Sequence, residues 1–295
     1  MKVSFICASY NYKDYISETI ESVMAQDNSD WELIVFDDGS TDGSCELIEQ
    51  YTKKDSRVKL YTHANNSNKG LITTLKEAAK VANGEWLAFI ESDDILKPDY
   101  LSQKLSALEK FPNTDLIFSG VEILGTETLK KNYIEIFKNR DSLIKENFNI
   151  VHLIRENVIP TFSCVMIRKD LFANKLDFNS PIAQNIDWWL WAQVFAEYKT
   201  LYLNKNLSIW RRHEGSYISS VQLSKMPHFI RSLFKIIFKS KIKILPRILL
   251  EMHMFFNTYE VTKIFGTPSR KIRNLTLNAL YRMNNIKPDL IYYNN

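Results

Sequence analysis

Glycine is scarce in this chain. There are eight in 295 residues, and none fall in the G-x-G-x-x-G spacing that lets a backbone close on a dinucleotide pyrophosphate. The P-loop pattern G-x-x-x-x-G-K-[ST] is missing as well. These absences weigh against a dinucleotide-dependent oxidoreductase, and any bound nucleotide phosphate needs a counter-charge other than a glycine-rich cradle. Cysteine is equally sparse: Cys7, Cys45 and Cys164 are odd in number, far apart and outside any metal-ligand spacing. Reduced, buried thiols in a reducing compartment are the expectation. The opening stretch Met1–Ala8 carries one positive charge and an apolar run too short for a signal sequence or a membrane span. A cytoplasmic protein without a transmembrane helix is therefore expected. The formal net charge of +4 is too small to argue for nucleic acid as a partner. There is no internal repeat and no low-complexity tract.

What is present begins with an ordinary globular composition, 45% apolar and 24% charged, in a chain long enough for one large domain or two smaller ones. Its organising stretch is Trp86-Leu87-Ala88-Phe89-Ile90-Glu91-Ser92-Asp93-Asp94. Five apolar residues read as a strand covered on both faces. They run into three carboxylates whose mutual repulsion is costly. A hard divalent cation such as magnesium or manganese would offset that cost; a solvated turn is the plainer alternative.

Strands are also expected at Val3–Ala8, Trp31–Phe36 and Val58–Tyr61, with helices over Asp14–Gln26, around Leu47, Ile48 and Tyr51, from Leu71 to Ala82, and from Pro98 through Leu108. This alternation implies a mostly parallel, doubly wound sheet. Further on, Asp115–Leu124 and Ser163–Ile167 read as strands, Asp187–Phe195 as a tryptophan-rich helix, and Leu201–Leu203 and Leu207–Trp210 as two edge strands.

Several side chains carry both a plain and a chemical reading. Asp37 and Asp38, in Asp37-Asp38-Gly39-Ser40-Thr41-Asp42, either cap a turn or offer a carboxylate to a nucleobase N–H at the sheet edge. Asp187 is either a first-turn acid that complements a helix dipole or a general base beside three tryptophans, whose faces also suit sugar rings. His213 is either a hydrogen-bonded imidazole or the completion of a metal site begun by Asp93 or Asp94. Its neighbours Arg211 and Arg212 suit phosphate oxygens.

Taken in order, these pieces resemble the family 2 glycosyltransferases of GT-A fold. The matching residues are Ser9-Tyr10-Asn11, Asp37–Asp42, Asn68-Lys69-Gly70, Gly84-Glu85-Trp86 leading into Glu91–Asp94, Asp187-Trp188-Trp189-Leu190-Trp191 and Arg211-Arg212-His213. The resemblance covers about residues 1–220. It implies an inverting transfer from a nucleoside-diphosphate sugar, a UDP-sugar, to a glycan or lipid-linked acceptor, in surface polysaccharide synthesis. It assigns Ala8, Ser9, Asn11, Asp37, Asp38, Lys69, Glu91, Ser92, Asp93, Arg211 and Arg212 to the donor, Asp187 as base, and Asp93, Asp94 and His213 to Mn2+ or Mg2+. Two positions depart from the family pattern: Glu91 replaces the first aspartate of the acidic run, and Ile186 stands where an acid often precedes the base. A non-catalytic nucleotide-sugar or glycan-binding module of the same fold is the alternative.

The expected division is a nucleotide-sugar half over 1–110, an acceptor-binding half of the same domain over 111–220, and a basic helical extension over 221–295. Between Gly215 and Leu250 there is no acid, while Lys225, Arg231, Lys235, Lys239, Lys241, Lys243 and Arg247 alternate with apolar residues. Such a segment suits an anionic membrane surface on the cytoplasmic face, packing on the catalytic domain, or a homo-oligomer contact. A further basic helix and then a polar tail are expected beyond Thr267.

Overall fold

The computed structural model describes residues 2–127, 141–145, 148, 152–213, 226–238 and 289–294. Strands β1 (Val3–Ser9), β2 (Trp31–Asp37), β3 (Val58–Thr62) and β4 (Trp86–Phe89) alternate with helices α1 (Lys13–Met24), α2 (Ser44–Lys54) and α3 (Leu71–Val81). After β4 come β5 (Ile95–Leu96), α4 (Tyr100–Lys110), β6 (Leu116–Leu124), α5 (His152–Arg155), β7 (Val165–Arg168), α6 (Lys169–Asn174), α7 (Ile186–Glu197), β8 (Thr200–Arg211), α8 (Met226–Phe238) and β9 (Leu290–Tyr293). They build one sheet in the order β3-β2-β1-β4-β7-β6-β8-β5, with β9 added alongside β8.

The first four strands are parallel, whereas β7 runs antiparallel between β4 and β6. Side chains alternate across the sheet. Val3, Phe5 and Cys7 therefore join a core beneath α1, α2 and α4, while Ile6, Ile34 and Phe89 join one beneath α3, α7 and α8. Covering both faces explains the unbroken apolar runs of β1, β2 and β4. The helices on either side of β1 lie on opposite faces, so the chain reverses its winding between β1 and β4. Such a reversal opens a crevice at the carboxyl ends of the strands.

Four expectations change. Leu201–Leu203 and Leu207–Trp210 are one strand, β8, and it is internal: β6 pairs along one side, and β5 and β9 share the other. The polar Asn204-Lys205-Asn206 is a bulge, marked by register shifts on either side of Gly120, and not a break between two strands. The two-residue strand Ile95–Leu96 is too short to leave a periodic signal, and Pro98 precedes α4 without forming its first turn. At the far end, Leu290–Tyr293 is a strand where a polar tail was expected. Its alternating side chains place Tyr292 against Tyr202 and Tyr293 against Phe111.

Of the basic extension, residues 226–238 form α8. Phe229 and Leu233 are fully buried, and Phe229 meets the Trp188 ring edge-on at 5.2 Å. This apolar face packs on the domain, leaving Arg231 and Lys235 outward. The basic run over 239–250 and the helix expected beyond Thr267 lie outside the described residues. Among the described residues, no helix is long and apolar enough to cross a membrane.

Candidate active site

The carboxyl ends of β1, β2 and β4 converge with the turn before β7 and the end of β8. A cavity of about 360 Å³ lies among them. Ala8 and Ser9 leave β1 along its wall. Asp38, immediately after β2, also lines it; its Oδ1 accepts the Lys69 N–H at 2.6 Å and its Oδ2 accepts the Gly70 N–H at 2.9 Å. The same carboxylate lies 3.3 Å from His63 Nε2. Asp38 therefore ties the 63–70 loop to the end of β2. Gly39 allows the close approach: its φ is +84°, and an added Cβ would sit 2.7 Å from the Asn66 carbonyl oxygen.

Four residues assigned to the donor stand back from the cavity: Asp37, Asn11, Lys69 and Arg211. Asp37 is fully buried, its carboxylate taken up by the Gly39 and Ser40 N–H groups and the Ser40 hydroxyl. That is the turn-capping arrangement of an Asx residue. Asn11 adopts a φ of 59° and accepts the Thr41 N–H, while its own N–H donates to Ser40 Oγ. Lys69 contributes its backbone N–H, and its side chain is exposed.

After β4 the chain turns tightly, with Asp94 N–H donating to the Glu91 carbonyl at 3.1 Å. Ligand oxygens of Glu91, Asp93 and Asp94 fall within 4.8 Å of one another. Burial, followed by the charges of Asp94 and Asp93, pushes the Glu91 carboxyl well up. Burial and the charge of Asp93 likewise raise Asp94. Asp93 rises less far, because His213 and Arg211 favour its charge against the cost of burial. A buried carboxylate cluster under this strain suits a hard cation, which offsets both desolvation and mutual repulsion.

Glu91, Ser92 and Asp93 line the cavity; Asp94 lies beneath it, fully buried. His213 Nε2 lies 3.0 Å from Asp93 Oδ2. Arg211 is turned away from the cavity: its Nε donates to the Asp93 carbonyl, its Nη2 pairs with Glu18, and its backbone N–H donates to Asp94 Oδ1. Arg212 does line the cavity, with its guanidinium 4.6 Å from the centre of the Trp210 ring.

Asp187 occupies the first turn of α7 and lines the same cavity. Asn157 Nδ2 donates to its Oδ2 at 2.7 Å. Its charge is near enough to contribute to the upward shift of Glu91. The tryptophans after it do not reach the site. Trp191 is fully buried, and the indole N–H groups of Trp188 and Trp189 donate to the Leu153 and Asp177 carbonyls. Helix α7 is apolar around most of its circumference and is consequently core. The aromatic wall of the cavity comes instead from Tyr10, Tyr12, Phe89, Phe162 and Trp210.

Four residues that the sequence does not single out also belong to the site: Thr161, Ser163, Asn157 and His63. Each is uncharged or isolated, with no motif around it. Thr161 precedes, and Ser163 begins, a run that reads as an ordinary strand, and only the pairing of β7 with β4 brings them against the acidic turn.

Residues 4–174 match the model of the family described as Glycosyl transferase family 2. An uncharacterized glycosyltransferase of Haemophilus influenzae is 26% identical over 291 residues, spanning 89% of this chain and 88% of that one. The UDP-Glc:alpha-D-GlcNAc-diphosphoundecaprenol beta-1,3-glucosyltransferase WfgD of Escherichia coli is 29% identical over 196 residues, covering 66% of this chain and 70% of its own. Among solved structures, S. aureus TarS 1–349 in complex with UDP-GlcNAc superposes with a TM-score of 0.64 at 18% identity, over 96% of this chain and 82% of that 1–349 chain. The architecture shared with that structure is the GT-A fold.

Proposed function

The chain belongs to glycosyl transferase family 2, and from that membership we propose that it moves a sugar from a UDP-sugar donor to a hydroxyl of a glycan or lipid-linked glycan, with inversion. The observation that supports this most directly is that Asp38, Asp93 and Asp187, from three separate elements, line one cavity of about 360 Å³. That volume is in the range of small-molecule sites.

Residues 1–110 hold the nucleoside in this reading. Ala8, Ser9 and Asp38 face the nucleoside, and Ser92 and Glu91 meet the ribose side. Arg212, stacked on Trp210, offers its guanidinium to the diphosphate. Asp93 and His213, with Glu91 and Asp94 beside them, are the residues that would hold Mn2+ or Mg2+. Such a cation supplies positive charge against the departing diphosphate.

Residues 111–220 bring the acceptor. Asp187, oriented by Asn157, takes the proton of the attacking hydroxyl, a contribution of about 10²–10⁴ in rate. The acceptor oxygen bonds to the anomeric carbon on one face as the bond to the diphosphate oxygen breaks on the other, which inverts the centre. A lipid-linked acceptor draws support from the name of WfgD. The outward Arg231 and Lys235, with the basic run that follows, would hold the chain at an anionic membrane surface by charge. Flotation with and without anionic lipid tests that placement; failure to float with either removes it.

The donor reading is tested by screening nucleotide sugars for thermal stabilisation with Mn2+ present, then assaying release of the nucleoside diphosphate. A UDP-sugar is expected to raise the melting temperature of the parent chain and not of Asp93→Ala. No stabilisation by any nucleotide sugar overturns the proposal. A donor that binds and is never cleaved, with or without acceptor glycans, leaves the non-catalytic binding module in its place.

A further inference from the structure

Two hydroxyls in the turn before β7 make more contacts with the acidic cluster than their number suggests. The turn, Phe162–Cys164, is a single 3-10 loop with Thr161 at its head. Ser163 Oγ donates to Asp94 Oδ2 at 2.6 Å and accepts the Glu91 N–H at 2.9 Å. Thr161 Oγ1 lies between the two acids, 2.8 Å from Glu91 Oε2 and 3.1 Å from Asp94 Oδ2. One short loop thus reaches a carboxylate oxygen on each of two acids and a backbone N–H in the turn that carries Asp93.

The loop is itself braced from behind. Lys104, fully buried on α4, donates from Nζ to the Cys164 carbonyl at 2.7 Å, and Tyr100 Oη donates to the Val165 carbonyl at 3.1 Å. Burying a lysine ammonium is costly, and burial pulls the Lys104 pKa down to about 7. Lys104 does not line the cavity, so this cost supports the loop and no direct contact with substrate.

We propose that Thr161 and Ser163 are positioning residues for the cation site: their hydroxyls hold Glu91 and Asp94 in fixed orientations and present Asp93 to the cavity. This rests on the cation reading given above. Two like-charged carboxylates left to themselves turn apart. The two hydroxyls, Ser163 donating to Asp94 and Thr161 set between Asp94 and Glu91, hold the acids within reach of each other before the ion arrives, and groups that orient ligands in this way typically change metal affinity by about 10–100-fold.

The test is a Mn2+ titration of the full chain, followed by the electron paramagnetic resonance signal of the unbound ion. Thr161→Val, which keeps the shape and loses the hydroxyl, is expected to weaken Mn2+ binding about 10–100-fold. Thr161→Ser should restore it to within about threefold of the parent, a rescue that a purely packing role would not produce. Ser163→Ala adds no bulk and is expected to weaken binding over the same range, so it decides the matter should Thr161→Val fail to fold. If the folded Thr161→Val and Ser163→Ala chains bind Mn2+ like the parent while Asp93→Asn does not, the positioning role is overturned and the cation reading stands. If Asp93→Asn also binds like the parent, the cation reading falls, and this inference with it.

Discussion

His213 Nε2 stands 3.0 Å from Asp93 Oδ2, joining the chain just past β8 to the turn after β4 across 120 residues of sequence. The imidazole is flanked by two rings, with centroids 4.8 Å away for Tyr15 and 6.2 Å for Tyr12. Arg211, two residues earlier, grips the same acidic turn through the Asp93 carbonyl and Asp94 Oδ1. The end of β8 thus closes one side of the acidic cluster.

Removing that closure should be felt first in metal binding. His213→Ala is expected to weaken Mn2+ about tenfold, and Asp93→Asn to abolish the site, by calorimetric titration with a nucleoside diphosphate present. Equal affinity in parent and His213→Ala would show that the imidazole neither binds the ion nor orients Asp93 for it.

Asp187→Asn should lower kcat by about 10²–10⁴ while donor affinity stays within about threefold. Asn157→Ala, which frees Asp187 Oδ2 from its amide partner, should lower kcat about tenfold, with KM for the donor unchanged. A collapse of donor affinity in Asp187→Asn would assign that carboxylate to the nucleotide.

Gly39→Ala forces a side chain onto a backbone at φ +84° with its Cβ 2.7 Å from Asn66 O and 3.0 Å from Asn68 N. The loop that Asp38 holds must move or the turn must strain, a cost of about 1–3 kcal/mol. A lower melting temperature and weaker nucleoside-diphosphate binding are expected together. Unchanged binding in calorimetry would separate the 63–70 loop from the nucleotide site.

Glu32, at the opposite end of the sheet, bears on acid stability. Burial opposes its charge, but hydrogen bonds from Lys59, Ser4 and Asn83 outweigh that and bring its pKa down from 4.5 to about 2. Because the folded value lies below the unfolded one, the stabilisation is fully present above pH 4.5 and disappears as pH falls toward 2. Glu32→Gln should cost on the order of 2 kcal/mol at pH 7, less than the full shift because Lys59 reaches solvent. Urea melts at pH 7 and pH 3 should show the gap between parent and variant closing at the lower pH. A constant gap would mean the loss is one of packing.

The acidic strand ends are readable directly because charge after an apolar run is a local signal. Asp38, Asp93 and Asp187 can each be singled out from their neighbours. Their partners cannot. Thr161 and Ser163 are ordinary polar residues until the antiparallel pairing of β7 with β4 carries them to Glu91 and Asp94. The three tryptophans of α7 illustrate the reverse case: a local pattern that suggests sugar platforms proves to be core, because the helix is covered by α8 and the sheet.

By itself, the chain's order of apolar runs, helix periods and terminal acids determined a doubly wound sheet with carboxylates at its C-terminal edge, since those features depend on spacing of a few residues. Only the tertiary structure decided which acids face the cavity and which lie beneath it. That choice depends on strand order and on contacts such as Arg211 to Asp94 and His213 to Asp93, made between residues more than a hundred positions apart.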